Sequence, residues 1–334
     1  MLAAIDRAFR EAGFHHRVVG VEVVQELNET LAMLLDRELL SESLYAEYAG
    51  SMQFAPPPGM GEVRSLVVVA TPSPPVKVLF HLGTGPVEAI IPPTYISSAV
   101  RARCQELLSG ILGPAGFSAA RVPVPAKLLA VRTGLAEYGR NNIAYVIGLG
   151  SFFRLDTFAT DADLIPAGEP RGGLSRFIVG GLDPVSGHWS APRRMGSCSA
   201  CKACYHACPT GCIPHPWEGV VIDVKRCLTY LDEHEGEWPD WLGPASHDSL
   251  VGCMRCQRAC PTNKHHFRRE ARVAEFDQAE TALILKNLPA EELPAPLRAK
   301  LEQLDLDGYS TVLGRNLLAL TRNVNHEGRE VILP

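Results

Sequence analysis

Two cysteine-rich runs constrain this chain more than any other feature. The first reads CSACKACYHACPTGCI at residues 198–213, and the second reads CMRCQRACPTN at residues 253–263. Seven of the ten cysteines fall in the C-x-x-C-x-x-C-x-x-x-C-P and C-x-x-C-x-x-x-C-P patterns of these runs. Clustered cysteines of this kind indicate metal binding or redox chemistry wherever a protein is kept reduced.

The remaining composition is that of an ordinary globular protein, 46% hydrophobic and 21% charged. No apolar run approaches the ~18–20 residues that cross a bilayer. The start, MLAAIDRAFREAGFHHR, follows an amphipathic helix pattern that contains acids, unlike a signal peptide. We therefore expect a cytoplasmic protein with no membrane partner and no disulfide framework. The formal charge of −5 gives no support to an extended nucleic-acid surface.

The first run has the bacterial ferredoxin pattern, in which three close cysteines ligate one 4Fe–4S cluster and the fourth ligates another. Structural zinc is the alternative, because a C-x-x-C pair by itself suits either metal. The second run is one ligand short, and Cys227 in VIDVKRCLTYL supplies it. The spacing thus predicts two 4Fe–4S clusters with crossed ligands. The first takes Cys198, Cys201, Cys204 and Cys260, and the second takes Cys208, Cys227, Cys253 and Cys256.

Two cysteines, Cys104 and Cys212, are left outside these sets, and burial as small apolar side chains is their simplest interpretation. Two clusters in one fold conduct electrons, which implies something to reduce. A ferredoxin needs no long domain ahead of its cysteines. We therefore expect the electrons to reach the N-terminal part of the chain.

Residues 1–165 alternate between helical and strand patterns, which predicts an α/β or α+β domain. The predicted helices are 2–13, 26–50, 94–113 and about 125–138, and the predicted strands are 17–24, 65–71, 76–82, 87–91 and two within 142–160. A proline- and glycine-rich transition follows at 165–197, and residues 270–323 return to helical patterns. We divide the chain into a cofactor and substrate domain (1–190), a two-cluster domain (191–268) and a helical C-terminal segment (269–334).

The segment LAVRTGLAEYGRNNIAYVIGLGSFFRLDTFATDAD at 129–163 resembles the A-x-R-x-G-L-x-x-x-G-K-N segment of epoxyqueuosine reductases. The resemblance extends to GEVRSLVVVA, to both cysteine runs, to KRCLTYL and to LGRNLLALTRN. Those enzymes use cobalamin and two 4Fe–4S clusters, and they are related to reductive dehalogenases. The resemblance implies an α+β fold, with a nitroreductase-like cobalamin-binding domain, a bacterial-ferredoxin-like two-cluster domain and a short helical tail.

The chain also departs from that family. The family's epoxide reductases have an aspartate, in a D-S-A-P segment, that is thought to protonate the substrate. The corresponding stretch FSAARVPVPAKLLAV (117–131) contains no acid, and Lys127 aligns with a family arginine. We also expect this chain to lack the C-terminal helical-repeat extension that many of these enzymes use for tRNA. These departures disfavour tRNA as a partner.

For cobalamin, the resemblance implies backbone and amide contacts in the matched segment, where glycines permit close approach and Arg140 or the paired asparagines could hold a corrin amide or phosphate. The structural alternative is a helix C-terminus with Gly139 as the C′ residue. The residues concerned are Arg132, Gly134, Leu135, Gly139, Arg140, Asn141 and Asn142.

A reductive step must end in protonation, so a proton donor is needed. Tyr95 in IIPPTYISS is the first candidate, since two prolines would hold it rigidly and the related dehalogenases use a tyrosine beside a basic residue. Lys127 could lower the Tyr95 pKa or bind an anionic substrate. Tyr138 is the second candidate. A half-buried packing role is the simpler alternative for Tyr95.

The sequence thus predicts a cytoplasmic iron–sulfur oxidoreductase that accepts electrons from an external donor such as ferredoxin or flavodoxin. Two 4Fe–4S clusters would pass them to cobalamin, which would reduce a small-molecule substrate. Three alternatives stay open. They are an epoxyqueuosine reductase acting on tRNA in queuosine biosynthesis, an electron-transfer protein without catalysis, and the same scaffold with flavin in place of cobalamin.

Overall fold

A computed structural model describes residues 1–96, 98–169, 171, 195–215, 222–266 and 271–327, without the side chains of 244 and 322–327. Most of the predicted transition at 165–197 lies outside these residues. The helices of the described part are α1 (Leu2–Glu11), α2 (Val23–Asp36), α3 (Glu42–Met52), α4 (Ser98–Leu112), α5 (Ala126–Arg132), α6 (Ala203–Ala207), α7 (Leu228–Glu233), α8 (Arg255–Arg258), α9 (Gln278–Ile284), α10 (Ala295–Gln303) and α11 (Ser310–Glu327). None of them combines the length and the apolar character that a membrane span requires.

The strands of the same part form three sheets, two of them larger than a hairpin. The strands are β1 (His15–Gly20), β2 (Ser65–Pro72), β3 (Val76–Leu82), β4 (Gly85–Ile91), β5 (Ala119–Arg121), β6 (Glu137–Tyr138), β7 (Ala144–Tyr145), β8 (Phe153–Thr160) and β9 (Ala271–Phe276). The sheet orders are β1-β2-β8-β5, β4-β3-β9 and β6-β7. The expectation of a mixed helix and strand fold is confirmed.

The chain divides into two compact units. The first takes the described residues within Met1–Pro72 and Ala99–Cys201, and the second takes those within Ser73–Ser98, Lys202–Pro216 and Ile222–Pro334. Residues 73–98, which the sequence prediction includes in its first domain, therefore belong with the C-terminal part. The predicted boundary at 190 lies outside the described residues.

The first unit is built around β2, whose sequence SLVVVATP is buried along almost its whole length. Alternate residues of a strand point to opposite faces of the sheet. Accordingly Leu66 and Val68 join the core formed with α2 and α5, whereas Val67 and Val69 join the core formed with α1 and α4. Cys104 is fully buried in the second of these cores, as expected. Helices thus cover both faces of this antiparallel sheet.

The second unit is built around β3. This strand pairs antiparallel with β4, through Val76 and Ile91, and parallel with β9, through Val76 and Ala271. Its core takes apolar side chains from these strands and from α9, α10 and α11. Gly314 lies where α11 crosses the end of α9, so close that an added Cβ would stand 2.5 Å from the Ile284 carbonyl oxygen. A sheet with helices packed against it is therefore present in each unit.

Three predicted elements differ from the structure. The predicted helix 26–50 is two helices, α2 and α3, separated by a turn in which Glu38 has a φ of 55°. The helix predicted to reach about residue 138 ends at Arg132, because the chain turns at Gly134 with a φ of 70°. Gly139 is therefore not its C′ residue. The segment predicted as helical from residue 270 begins instead with strand β9.

Candidate metal centre and active site

The four predicted ligands of the second cluster all lie in the second unit. Helices α6 and α8 pack against each other, and Cys208, Cys227 and Cys256 share one cluster of side chains with Cys204 and Cys212. Burial is the main cause that raises the pKa of Cys253 well above its ordinary value. The nearby Asp248, Cys256 and Cys227 raise it further, so Cys253 lies near two other predicted ligands. This set of thiols fits an iron–sulfur cluster.

A single metal ion needs ligands that converge on one point. In the part of the chain that the structure describes, no three His, Cys, Asp or Glu side chains converge as ligands of one ion would. A four-iron cube takes its four thiolates at separate corners, and so it does not require that convergence.

Cys212 contacts the sulfur of Cys208, a relation that the sequence did not reveal. The two Sγ atoms are 3.5 Å apart, and the Thr210 Oγ1 is 3.6 Å from the Cys208 Sγ. These groups, Cys212 first, lower the pKa of Cys208 to about 5. Cys212 itself is 4% exposed. Its burial agrees with the prediction, but it is part of the sulfur group and not only a small apolar side chain.

Arg140 in the first unit holds the backbone of the first cysteine run. It lies in the turn between β6 and β7 and is 5% exposed. Its Nε donates to the Cys201 carbonyl at 2.8 Å, and one terminal nitrogen donates to the carbonyls of Cys198 at 2.9 Å and Ser199 at 3.4 Å. The sequence predicted a cofactor contact for this side chain. In the structure its guanidinium instead bonds to the backbone of the loop that carries two predicted cluster ligands, Cys198 and Cys201.

The other side chains predicted to hold cobalamin are also engaged inside the first unit. Arg132 is 3% exposed, lies 3.4 Å from the Glu26 carboxylate and donates to the Thr30 hydroxyl. The Asn141 Nδ2 donates to the Tyr145 hydroxyl at 3.1 Å. Leu135 is buried. Each of these side chains is therefore buried or bonded within this chain, and cobalamin contact in this segment stays a prediction.

The backbone of the same segment is tightly folded. A Cβ on Gly139 would stand 2.6 Å from both the Asn141 side-chain oxygen and the Tyr145 ring. Asn142 has a φ of 58°, and its carbonyl accepts a hydrogen bond from the Lys127 Nζ at 2.8 Å. The sequence predicted that a cofactor approaches the backbone closely at Gly139. In the structure the Asn141 and Tyr145 side chains make that close approach.

The two predicted proton donors, Tyr95 and Tyr138, and the predicted basic partner Lys127 are placed differently. In the first unit, the Lys127 Nζ lies 5.7 Å from the centre of the Tyr138 ring. Burial raises the pKa of Tyr138. In the second unit, the Tyr95 hydroxyl donates to the Glu233 carboxylate at 2.5 Å. Burial, and then Glu233, raise the pKa of Tyr95 well above its ordinary value, the reverse of the shift expected from the sequence.

A cavity of about 320 Å³ lies in the first unit beside the segment that lacks the family's acid. This volume is at the lower end of the range for small-molecule sites. The Asp156 carboxylate, on β8, is part of the cavity lining. It accepts hydrogen bonds from Arg101 and Arg121, each at 3.0 Å. The cavity is lined by Gly50, Ser51, Arg121, Val122, Pro123, Val124, Ala126, Leu155, Asp156 and Thr157.

A buried acid in the second unit, Asp232, makes the folding stability of the protein depend on pH. Asp232 is fully buried, and among the described residues neither of its carboxylate oxygens has a hydrogen-bond partner. The His247 Nδ1 lies 3.4 Å from the Asp232 Oδ1. Burial raises the Asp232 pKa well above its ordinary value, and burial lowers the His247 pKa to about 4.

We expect Asp232→Asn to gain stability relative to the parent as the pH rises from 5 to 8. The folded state keeps a proton on Asp232 that the unfolded state loses near pH ~4, so the parent loses stability from that pH up to the folded pKa. His247 acts oppositely, but only below its unfolded pKa of about 6.5. Asparagine is neutral at every pH. Thermal unfolding at pH 5, 6.5 and 8 measures the difference. The exposed Asp240→Asn is the control, and parallel pH profiles for Asp232→Asn and the parent would contradict the prediction.

Comparison with known proteins supports the cluster assignment first. The family model described as "4Fe-4S double cluster binding domain" matches residues 197–263. This range contains all eight predicted ligands.

Curated relatives extend the similarity beyond the cysteines. The epoxyqueuosine reductase of Burkholderia pseudomallei is 33% identical over 185 residues, which are 53% of this chain and 40% of that protein. The epoxyqueuosine reductase of Pseudomonas aeruginosa is 29% identical over 236 residues, which are 66% of this chain and 54% of that protein. The matched region thus spans about half the length of these relatives.

Solved structures show the same fold. The epoxyqueuosine reductase of Streptococcus thermophilus aligns over 98% of this chain and 82% of its own, with a TM-score of 0.60 and 15% identity. An epoxyqueuosine reductase solved with an epoxyqueuosine-modified tRNA stem loop aligns over 98% of this chain and 84% of its own, with a TM-score of 0.59 and 14% identity. The resemblance read from the sequence is confirmed: this chain is similar to the epoxyqueuosine reductases in sequence and in fold, and it contains a double 4Fe–4S cluster-binding domain.

Proposed function

We propose that this chain is an iron–sulfur reductase of the epoxyqueuosine reductase type that acts on epoxyqueuosine in tRNA. The observation that carries the proposal is the double-cluster domain at 197–263 within a fold similar, over 98% of the chain, to epoxyqueuosine reductases. One of those was solved with an epoxyqueuosine-modified tRNA stem loop. The small-molecule substrate and the exclusion of tRNA, both preferred from the sequence, have less support than this alternative.

When bound, the two clusters supply electrons one at a time. The proposed ligands are the two crossed sets of four cysteines. Three members of the second set, Cys208, Cys227 and Cys256, pack together with Cys212. Removing an epoxide oxygen consumes two electrons and two protons and releases water. As the proton donor we favour Tyr138, with Lys127 beside it, over Tyr95. Lys127 and Tyr138 lie together in the first unit, whereas the Tyr95 hydroxyl is held by Glu233.

The cofactor between the clusters and the substrate is proposed from the resemblance alone. Cobalamin, in a nitroreductase-like domain, is the first proposal, and flavin is the substitute. The polar side chains of the matched segment bind one another and the first cysteine run, so a corrin would need other groups for its direct contacts. An external donor such as ferredoxin or flavodoxin stays a prediction.

The experiment is anaerobic reconstitution of the full chain, followed by iron analysis and by assay on tRNA that contains epoxyqueuosine. We expect about eight irons per chain, conversion to queuosine with an added corrinoid and reductant, and loss of the second cluster and of turnover in Cys227→Ala. Cys104→Ala, at a buried cysteine outside both ligand sets, is the matched control and should retain both. Zinc in place of iron, or eight irons in Cys227→Ala, would overturn the ligand assignment. Fully loaded protein that yields no queuosine would overturn the substrate.

A further inference from the structure

The loop from Cys208 to Cys212 folds around the sulfur of Cys208. Two side-chain groups reach this sulfur, the Thr210 hydroxyl at 3.6 Å and the Cys212 thiol at 3.5 Å. The backbone N–H groups of Thr210 and Cys212 also bond to it. Both side chains are buried, with Thr210 and Cys212 each 4% exposed. The Cys208 sulfur is therefore enclosed by donors of this chain.

The distance shows what Cys212 can do beside a cluster. Two sulfurs 3.5 Å apart are in direct contact, whereas thiolates bound to different corners of a cube point away from each other. Cys212 therefore cannot ligate the same cube alongside Cys208. A sulfur bound to iron carries no proton, so in the loaded protein the Cys212 thiol is the donor of this contact. The Cys212 thiol also bonds to Cys227, another predicted ligand of the same cluster.

We propose that Cys212 is a positioning residue of the second cluster, whose S–H bond to the Cys208 sulfur raises the reduction potential of that cluster. This inference rests on the proposed two-cluster function. When one electron enters, the core charge falls from 2+ to 1+, no covalent bond changes and no proton moves. The added negative charge spreads onto the ligand sulfurs, so a donor stabilises the reduced form more than the oxidised form.

The test is an anaerobic dithionite titration of the reconstituted full chain, followed by electron paramagnetic resonance, with Cys227→Ala used to identify the signal of the second cluster. In Cys212→Ala we expect the ratio of reduced to oxidised second cluster at a fixed potential to fall about tenfold, which is ~60 mV for one electron. Cys212→Ser keeps a donor and should restore the ratio to within about threefold. Cys104→Ala, at a buried cysteine of the first unit, should leave it unchanged.

The remaining outcomes distinguish failure of the Cys212 role from failure of the proposed two-cluster function. Eight irons with an unchanged potential in Cys212→Ala would overturn the role of Cys212 and leave the two-cluster function intact. Loss of the second cluster in Cys212→Ala would show that the cluster needs Cys212 in order to assemble, which overturns the role of tuning its potential. A parent protein that takes up no iron would overturn the proposed function itself.

Discussion

Arg140→Ala is expected to lose the first cluster, and with it about four of the eight irons. The Arg140 guanidinium bonds to the backbone carbonyls of Cys198, Ser199 and Cys201, and it is 5% exposed. Without it, the carbonyls of Cys198, Ser199 and Cys201 lose the buried donor that ties this partly exposed loop together. The loop carries two predicted ligands close in sequence, so its disorder separates thiolates that must converge on one cube.

Two further variants test whether the guanidinium of Arg140 itself is required. Arg140→Lys keeps the positive charge, but an ammonium cannot span the same carbonyls as a planar guanidinium, so we expect a partial loss of iron. Arg103→Ala removes an exposed arginine from α4 and should keep all the iron. Iron analysis and the resonance signals of the two clusters are the measurements. Eight irons and both signals in Arg140→Ala would show that the loop holds its shape without the guanidinium.

Gly314→Ala is expected to destabilise the second unit by ~2–3 kcal/mol, because the added methyl group meets backbone that cannot move aside. The Cβ would stand 2.5 Å from the Ile284 carbonyl oxygen, 2.6 Å from the Leu285 Cα and 2.9 Å from the Asn287 side-chain oxygen. To make room, α11 would have to move away from α9 and open the core between them. Urea or thermal unfolding of the reconstituted protein measures the loss.

Gly110→Ala is the matched control within a helix. Gly110 lies in α4, and a Cβ there would have no atom within 4 Å. Alanine loses less chain entropy on folding than glycine, so this variant should be more stable than the parent by ~0.5–1 kcal/mol. The two substitutions are chemically identical and differ in surroundings. Equal effects of both variants on the unfolding free energy would contradict the close approach at Gly314.

The cysteine pattern and the apolar strands could be predicted from the sequence because their signals are local. The spacing of the two runs predicted a double-cluster domain, which the family match at residues 197–263 supports, and β2 and β3 lie where continuous apolar residues placed them. Strand β9 escaped prediction because ARVAEF is mostly exposed and lacks a buried face along most of its length. Its strand conformation depends on β3, far away in sequence.

The site was less predictable for a related reason. Arg140 is a polar residue in a glycine-containing turn, and nothing near it in sequence shows that its partners are the carbonyls of residues 198–201. The contact between Cys208 and Cys212 is local, yet the pattern predicted only burial for Cys212 and not its contact with a predicted ligand. Tyr95 was expected beside a cation, and the fold placed a carboxylate there.

The pairing of β3 with β9 determines how long β3 lacks one of its partner strands while the chain is being synthesised. Val76 of the one strand meets Ala271 of the other, so about 195 residues must be made after β3 before its partner exists. At ribosomal rates of ~5–20 residues per second, that interval lasts roughly 10–40 s. During this time the β3–β4 hairpin presents an unpaired, apolar edge, which invites association with other chains. A nascent chain paused shortly before residue 271 would therefore be a favoured substrate for chaperones that shield exposed strands.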